Sequence, residues 1–205
     1  MNFKNFFVNE EKEFDELKKL IYSTFHFGRT FPEQVFEEEY KHFKFEEFDW
    51  TMSDEFWTTL KKLATKSKDD FVLVAVLEPN PEEYFYKEFQ YYNWIKMPVW
   101  IDEDDYYDIL EFGPKESPAD AVLYNSSVMI WLSPSLEWAI WGEREFGVCV
   151  IAFNDTAVEN KLIPDLITWH TLDDTVLAWI EMNFRNQRLY QKNIQALKIN
   201  YTDNK

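Results

Sequence analysis

Residues 137–153 read Glu137-Trp138-Ala139-Ile140-Trp141-Gly142-Glu143-Arg144-Glu145-Phe146-Gly147-Val148-Cys149-Val150-Ile151-Ala152-Phe153. Two apolar, β-prone runs, 137–142 and 147–153, flank the short link Glu143-Arg144-Glu145-Phe146. So short a link joins only antiparallel neighbours, because a parallel crossover takes roughly a dozen residues or more. Upstream, Ser133-Pro134-Ser135-Leu136 separates this pair from a third run of the same character, 121–132. The spacing predicts a three-stranded antiparallel meander over 121–153. Because 147–153 is apolar throughout, it is expected to be a central strand. The continuous β-branched run Phe71-Val72-Leu73-Val74-Ala75-Val76-Leu77 reads as a strand buried on both faces, and as the partner of 147–153.

Outside these runs the periodicity is helical. Residues 11–22 carry Phe14, Leu17, Leu20 and Ile21 on one face. A helix is expected from Pro32, with Val35, Phe36, Tyr40 and Phe43 as its stripe. Another is expected from Ser53 as N-cap, with Asp54 and Glu55 in its first turn and Lys61, Lys62 and Lys66 toward its end. Asn80-Pro81-Glu82-Glu83 starts a short helix running to Phe89, and Asp102-Glu103-Asp104-Asp105 starts one that Gly113-Pro114 stops. Thr171 is expected to cap a last helix bearing Val176, Leu177, Ile180 and Phe184. The expected fold is α+β: an antiparallel sheet from 71–77 and 121–153, packed with N-terminal helices and a C-terminal helix. No repeat or low-complexity linker divides the chain, so residues 1–205 are read as one domain, with 184–205 as a frayed basic helix or a tail.

Composition narrows function. Thirty-eight acids against 21 Lys and Arg give a net charge of -17, which argues against duplex DNA and anionic membranes as partners. Four glycines leave no phosphate-cradling loop, and the single cysteine, Cys149, excludes an internal disulfide. Cys149 lies in an apolar run and reads as a small buried hydrophobe. No apolar window is long enough to span a bilayer, and the N-terminus reaches Asn9-Glu10-Glu11 too early for a signal peptide, so a cytoplasmic protein is expected. No cofactor is expected.

The acidity is uneven. Residues 116–183 hold 11 acids and 2 bases, whereas 184–205 have Asp203 alone against Arg185, Arg188, Lys192, Lys198 and Lys205. Within 78–111, ten acids are opposed only by Lys87 and Lys96. The same stretch holds Tyr84, Phe85, Tyr86, Phe89, Tyr91, Tyr92, Trp94 and Trp100, more rings than a short helix and loop can turn inward. The aromatic 19% of the chain also exceeds what a core of this size readily encloses. Acids beside exposed Tyr and Trp are the chemistry of a surface that selects a Lys- and Arg-rich protein. The candidate contact residues are Glu82, Glu83, Tyr91, Tyr92, Trp94, Asp104, Asp105 and Asp108, extended by Glu143 and Arg144. Arg144, between two glutamates, either ties the hairpin turn to a carboxylate or belongs to a polar site carried by the meander.

Catalytic constellations are sparse. His26, His42 and His170 fall in no zinc-binding spacing, no G-x-S-x-G elbow occurs, and 102–105 lack the calcium-loop pattern. Paired carboxylates on an aromatic floor leave one enzymatic alternative, a small carbohydrate-active hydrolase. Its acids would come from Glu82, Glu83, Asp104, Asp105, Asp108, Glu143 and Glu145.

Several short stretches, Asn80-Pro81-Glu82, Tyr91-Tyr92-Asn93-Trp94, Gly113-Pro114, Ser117-Pro118-Ala119-Asp120 and Trp138-Ala139-Ile140-Trp141-Gly142-Glu143-Arg144, give the block Asn80 to Phe153 a familiar look. It resembles small bacterial α+β proteins and is similar in character to immunity proteins of polymorphic toxin systems. The resemblance covers about a third of the chain and brings no catalytic motif. It implies an acidic cytosolic protein that inhibits by binding.

Overall fold

The computed structural model describes residues 3–184 and 191–202. Its centre is a six-stranded, wholly antiparallel sheet: β1 (Lys41–Glu47), β2 (Phe71–Glu78), β3 (Trp94–Pro98), β4 (Val128–Leu132), β5 (Trp138–Glu143) and β6 (Val148–Phe153), in the order β1-β6-β5-β4-β2-β3. The fold is α+β, and the meander β4-β5-β6 is present. Leu132 pairs with Ala139 and Val128 with Glu143 across the first hairpin, and Glu143 with Val148 across the second. Gly147, with φ +70, closes the β5–β6 turn, donating its N–H to the Glu143 carbonyl at 2.9 Å.

Both faces of the sheet are covered. Val72, Val74 and Val76 of β2 enter one core, with α2 (Glu55–Ser67), α4 (Glu103–Glu111) and α5 (Thr156–Leu162); Leu73 and Ala75 enter the other, with α1 (Glu11–Tyr22), α6 (Asp174–Asn183), α7 (Gln191–Tyr201) and residues 25–45. This doubling explains how so many rings are housed. Buried polar tips are mostly satisfied: Trp57 Nε1 donates to the Ile101 carbonyl at 3.0 Å, Trp131 Nε1 to the Tyr106 hydroxyl at 3.1 Å, and that hydroxyl to the Thr51 carbonyl at 2.9 Å. Caps follow short-range chemistry. Asn80 accepts the N–H groups of Glu82 and Glu83 at the start of the turn Pro81–Tyr86, which α3 (Lys87–Phe89) continues; Asp102 accepts that of Asp105 at α4. Asp54 rather than Ser53, and Asp173 rather than Thr171, are the N-caps of α2 and α6.

Four expectations are corrected. No helix starts at Pro32. The segment runs in turns to β1, with two of its backbone donors taken by distant side chains, Phe31 N–H by Glu143 and Val35 N–H by the Tyr201 hydroxyl, and Glu37 N–H by the Thr24 carbonyl rather than by a helical partner. Second, β6 lies between β5 and β1, while β2 fills the free edge of β4 and carries β3 on its other side. Strands β1 and β3 went unread, and they take the positions that 71–77 and 147–153 were expected to offer each other. Third, residues 121–125 form a turn, so the first strand of the meander starts only at Val128. Fourth, the C-terminal segment is no loose tail over 191–201: α7 buries Leu197 and Tyr201 against the sheet. Arg185, Arg188, Asp203 and Lys205 lie outside the described residues.

Candidate functional site

The residues expected to form one acidic, aromatic face are divided among separate places. Tyr91, Tyr92 and Trp94 are inside, at 4%, 3% and 2% exposure, contrary to expectation. Their burial follows from the unread strand β3 and its cover. Phe14 of α1 stacks on Tyr92 at 3.8 Å, Phe7 and Phe85 meet Tyr91 edge-on, and Trp94 Nε1 donates to the Val76 carbonyl at 2.9 Å. Burial also pushes the phenols of Tyr91 and Tyr92 up to about 12. Tyr84 and Trp100, from the same cluster, are exposed. Glu82 and Glu83 are exposed as well, but Glu82 is paired with Lys18 of α1.

Asp104 and Asp108 are exposed on the outer face of α4, and Asp105 is half-buried beside them. The inward stripe is Tyr106, Ile109 and Leu110, so Asp104, Tyr107, Asp108 and Glu111 share the solvent stripe at i, i+3, i+4 and i+7. Asp54, Asp104, Tyr107 and Asp108 line one open groove of about 460 Å³. The Tyr124 hydroxyl donates to Glu111 Oε1 at 2.6 Å, which fixes a second ring beside the acids. Three lysines pair elsewhere, Lys96 with Glu13 at 2.8 Å, Lys161 with Glu137 at 3.2 Å, and Lys66 with Asp165, while Lys61 Nζ donates to the Ile101 carbonyl at 2.8 Å just before α4. No ion pair to Asp104, Asp108 or Glu111 occurs among the described residues. Tyr107 and Glu111 escaped the sequence reading, although the same 3–4 spacing that predicts the buried stripe also yields this one.

Glu143 and Arg144 point in different directions from the end of β5. Among the described residues, Arg144 makes no ion pair with a carboxylate. Its Nε donates to the Ser126 carbonyl at 2.8 Å, its Nη2 to the Leu123 carbonyl at 2.9 Å, and the guanidinium lies 4.9 Å from the centre of the Phe48 ring. It thus fastens the turn before β4 to the β5–β6 turn. Glu143 is only 5% exposed. Its Oε1 accepts Phe31 N–H at 2.6 Å and Trp141 Nε1–H at 2.8 Å. Burial first, then the nearby Glu78 and Glu145, raises its carboxyl to about 7 against those two donors. Glu78, Glu143 and Glu145 line a recess of about 410 Å³ with Phe31, Phe146 and Phe184. Among the described residues, no group of three or more His, Cys, Asp or Glu could hold a metal ion. Comparison with models of known families, with curated proteins and with solved structures finds no match to this chain.

Proposed function

We propose that the chain is a cytoplasmic, inhibitory binding protein of the immunity type that engages a basic protein through the outer face of α4. One observation carries this: Asp104, Asp108 and Glu111 alternate with Tyr107 on a rigid helix stripe, with Asp54 and Tyr124 alongside and no ion pair to the α4 acids among the described residues. Unneutralised carboxylates attract a cationic surface from a distance, and the two tyrosines supply contact area once it arrives. Of the acids considered for a hydrolase, Glu143 and Glu145 line one recess, whereas Asp104 and Asp108 are neighbours on one turn of α4, exposed in an open groove rather than set facing each other across a cleft, so the binding role has the better support.

The test uses the chain and the protein encoded immediately upstream of it. Their affinity is measured by calorimetry for wild type and for the triple variant Asp104→Asn, Tyr107→Ala, Asp108→Asn. These side chains face solvent, so the variant unfolds with wild-type cooperativity yet binds at least about tenfold more weakly. Equal affinity for both proteins, or no association of the wild type, overturns the proposal.

A further inference from the structure

A pocket of about 320 Å³ opens where the N-terminal turn Phe3–Phe6, the end of α3 and the segment after α4 come together. That volume lies at the lower end of the range for small-molecule sites, roughly 300–1,000 Å³. Three of its walls are rings, Phe89, Tyr91 and Phe112. Two buried core rings hold all three in place. Phe7 meets Tyr91 at 5.4 Å and Phe112 at 5.6 Å, while Phe85 meets Tyr91 at 5.2 Å and Phe89 at 4.9 Å. The rings are therefore set before any ligand arrives. Gly113 fixes the remaining wall, since a Cβ there would stand 2.8 Å from the Pro118 carbonyl oxygen.

The pocket already holds a cation. The Lys4 ammonium lies 5.4 Å from the centre of the Tyr91 ring. Glu88 and Glu116 line the same pocket, yet Lys4 makes no ion pair with either among the described residues. The negative face of the ring accounts for that placement. Negative potential also reaches the ring from its surroundings: after burial, the charges of Asp120 and Glu116 raise the Tyr91 phenol. Lys115, exposed at the rim, is the one other base lining the pocket. A primary ammonium is strongly hydrated, and Lys4 is exposed, so it is a weak occupant. A quaternary ammonium gives up little hydration, presents methyl groups to the rings and asks for no hydrogen-bond acceptor.

We propose that this pocket binds a quaternary methylammonium group, which displaces Lys4 from the face of Tyr91. The methyl groups rest against Phe89, Tyr91 and Phe112, and Glu88 and Glu116 supply the attracting field. The group has two sources, a free choline-like amine or a trimethylated lysine side chain on another protein.

Titration of the full chain, ¹⁵N-labelled, follows the backbone amides of Tyr91 and Gly113. The charged probes are choline chloride and the peptide Gly-Ser-Lys-Ser-Gly with its lysine trimethylated, each against sodium chloride of equal ionic strength. A third probe is the uncharged isostere of choline, with carbon in place of the quaternary nitrogen. A saturable shift with either charged probe, at least about tenfold weaker with the isostere, supports the site, and the tighter charged probe names the source. Lys4→Ala removes the internal competitor and tightens binding about threefold, whereas Phe89→Leu keeps an apolar wall but loses a ring face and weakens it by a similar factor. No saturable shift with either charged probe, an isostere that binds as tightly as choline, or a Lys4→Ala chain that binds no tighter than wild type overturns the proposal. The α4 triple variant keeps full affinity for the probes, so failure of this site and failure of the α4 face are told apart.

Discussion

Glu143 concentrates more consequence than any other single side chain. Its carboxyl reaches 112 residues back along the chain to hold the N–H of Phe31, and it also holds its strand neighbour Trp141. Because its pKa is raised from 4.5 to about 7 in the folded protein, the native state binds the proton more tightly than the unfolded chain does. This contribution is fully present below pH ~4.5 and is lost as pH rises through ~7, at a cost on the order of 3 kcal/mol. Glu143→Gln keeps an oxygen for both donors and removes the titration. Denaturant unfolding at pH about 5 and about 8 is therefore expected to show wild type losing stability across the window relative to the variant, and the variant the more stable at the higher pH. The amino-acid order marked Glu143 as a candidate, since it sits at a turn beside Arg144 and Glu145. It did not mark it as buried, because the cover is Phe31, which nothing local ties to β5.

Elements reveal where short-range rules suffice. The caps at Asn80 and Asp102, the stripe of α4 and the β4-β5-β6 hairpins all depend on residues within a few positions of one another, and all were read correctly. The β5–β6 turn depends on Gly147 twice over. Its φ is +70, and a Cβ there would stand 2.3 Å from Asn183 Cγ of α6. Gly147→Ala should cost about 1–3 kcal/mol, seen as a lower denaturation midpoint. Adding Asn183→Ala should recover part of that loss, leaving the backbone component. If the second change recovers nothing, contact with α6 does not contribute. Residues 32–47 show the opposite case. Val35, Phe36, Tyr40 and Phe43 have helical spacing, yet all four are buried in extended or turn conformation. Val35 N–H goes to the Tyr201 hydroxyl and the N–H of the preceding Phe31 to Glu143, while Phe36 and Tyr40 donate to Gln34 and Glu37, and a pattern confined to one segment cannot register partners as remote as Glu143 and Tyr201.

At the scale of the molecule, closure depends on α7. Tyr201 is 1% exposed, meets Phe31, Phe43 and Phe45 edge-on, accepts Val35 N–H at 3.1 Å and donates to the Glu33 carbonyl. It holds the second core shut. Tyr201→Ala is expected to destabilise by about 3–5 kcal/mol, whereas Tyr201→Phe loses only the hydroxyl bonds, about 1–3 kcal/mol. Thermal unfolding of the two variants separates these contributions. Similar midpoints for the two would mean that the ring itself contributes little. Acidity has the same global character. The excess of carboxylates belongs to the composition, but which of them stay unpaired depends on where Lys18, Lys66, Lys96 and Lys161 find partners.

Local order in the chain was enough for the class of fold, the meander, the start of α4 and the acidic character, because period, capping and short links act between near neighbours. The two-sided burial of the sheet, the strand order, the withdrawal of Tyr91, Tyr92 and Trp94, and the meeting of Glu78, Glu143 and Glu145 in one recess came from contacts between remote segments. Those contacts compete for the same backbone donors and the same buried area, and that competition is resolved only once the whole chain has closed on itself.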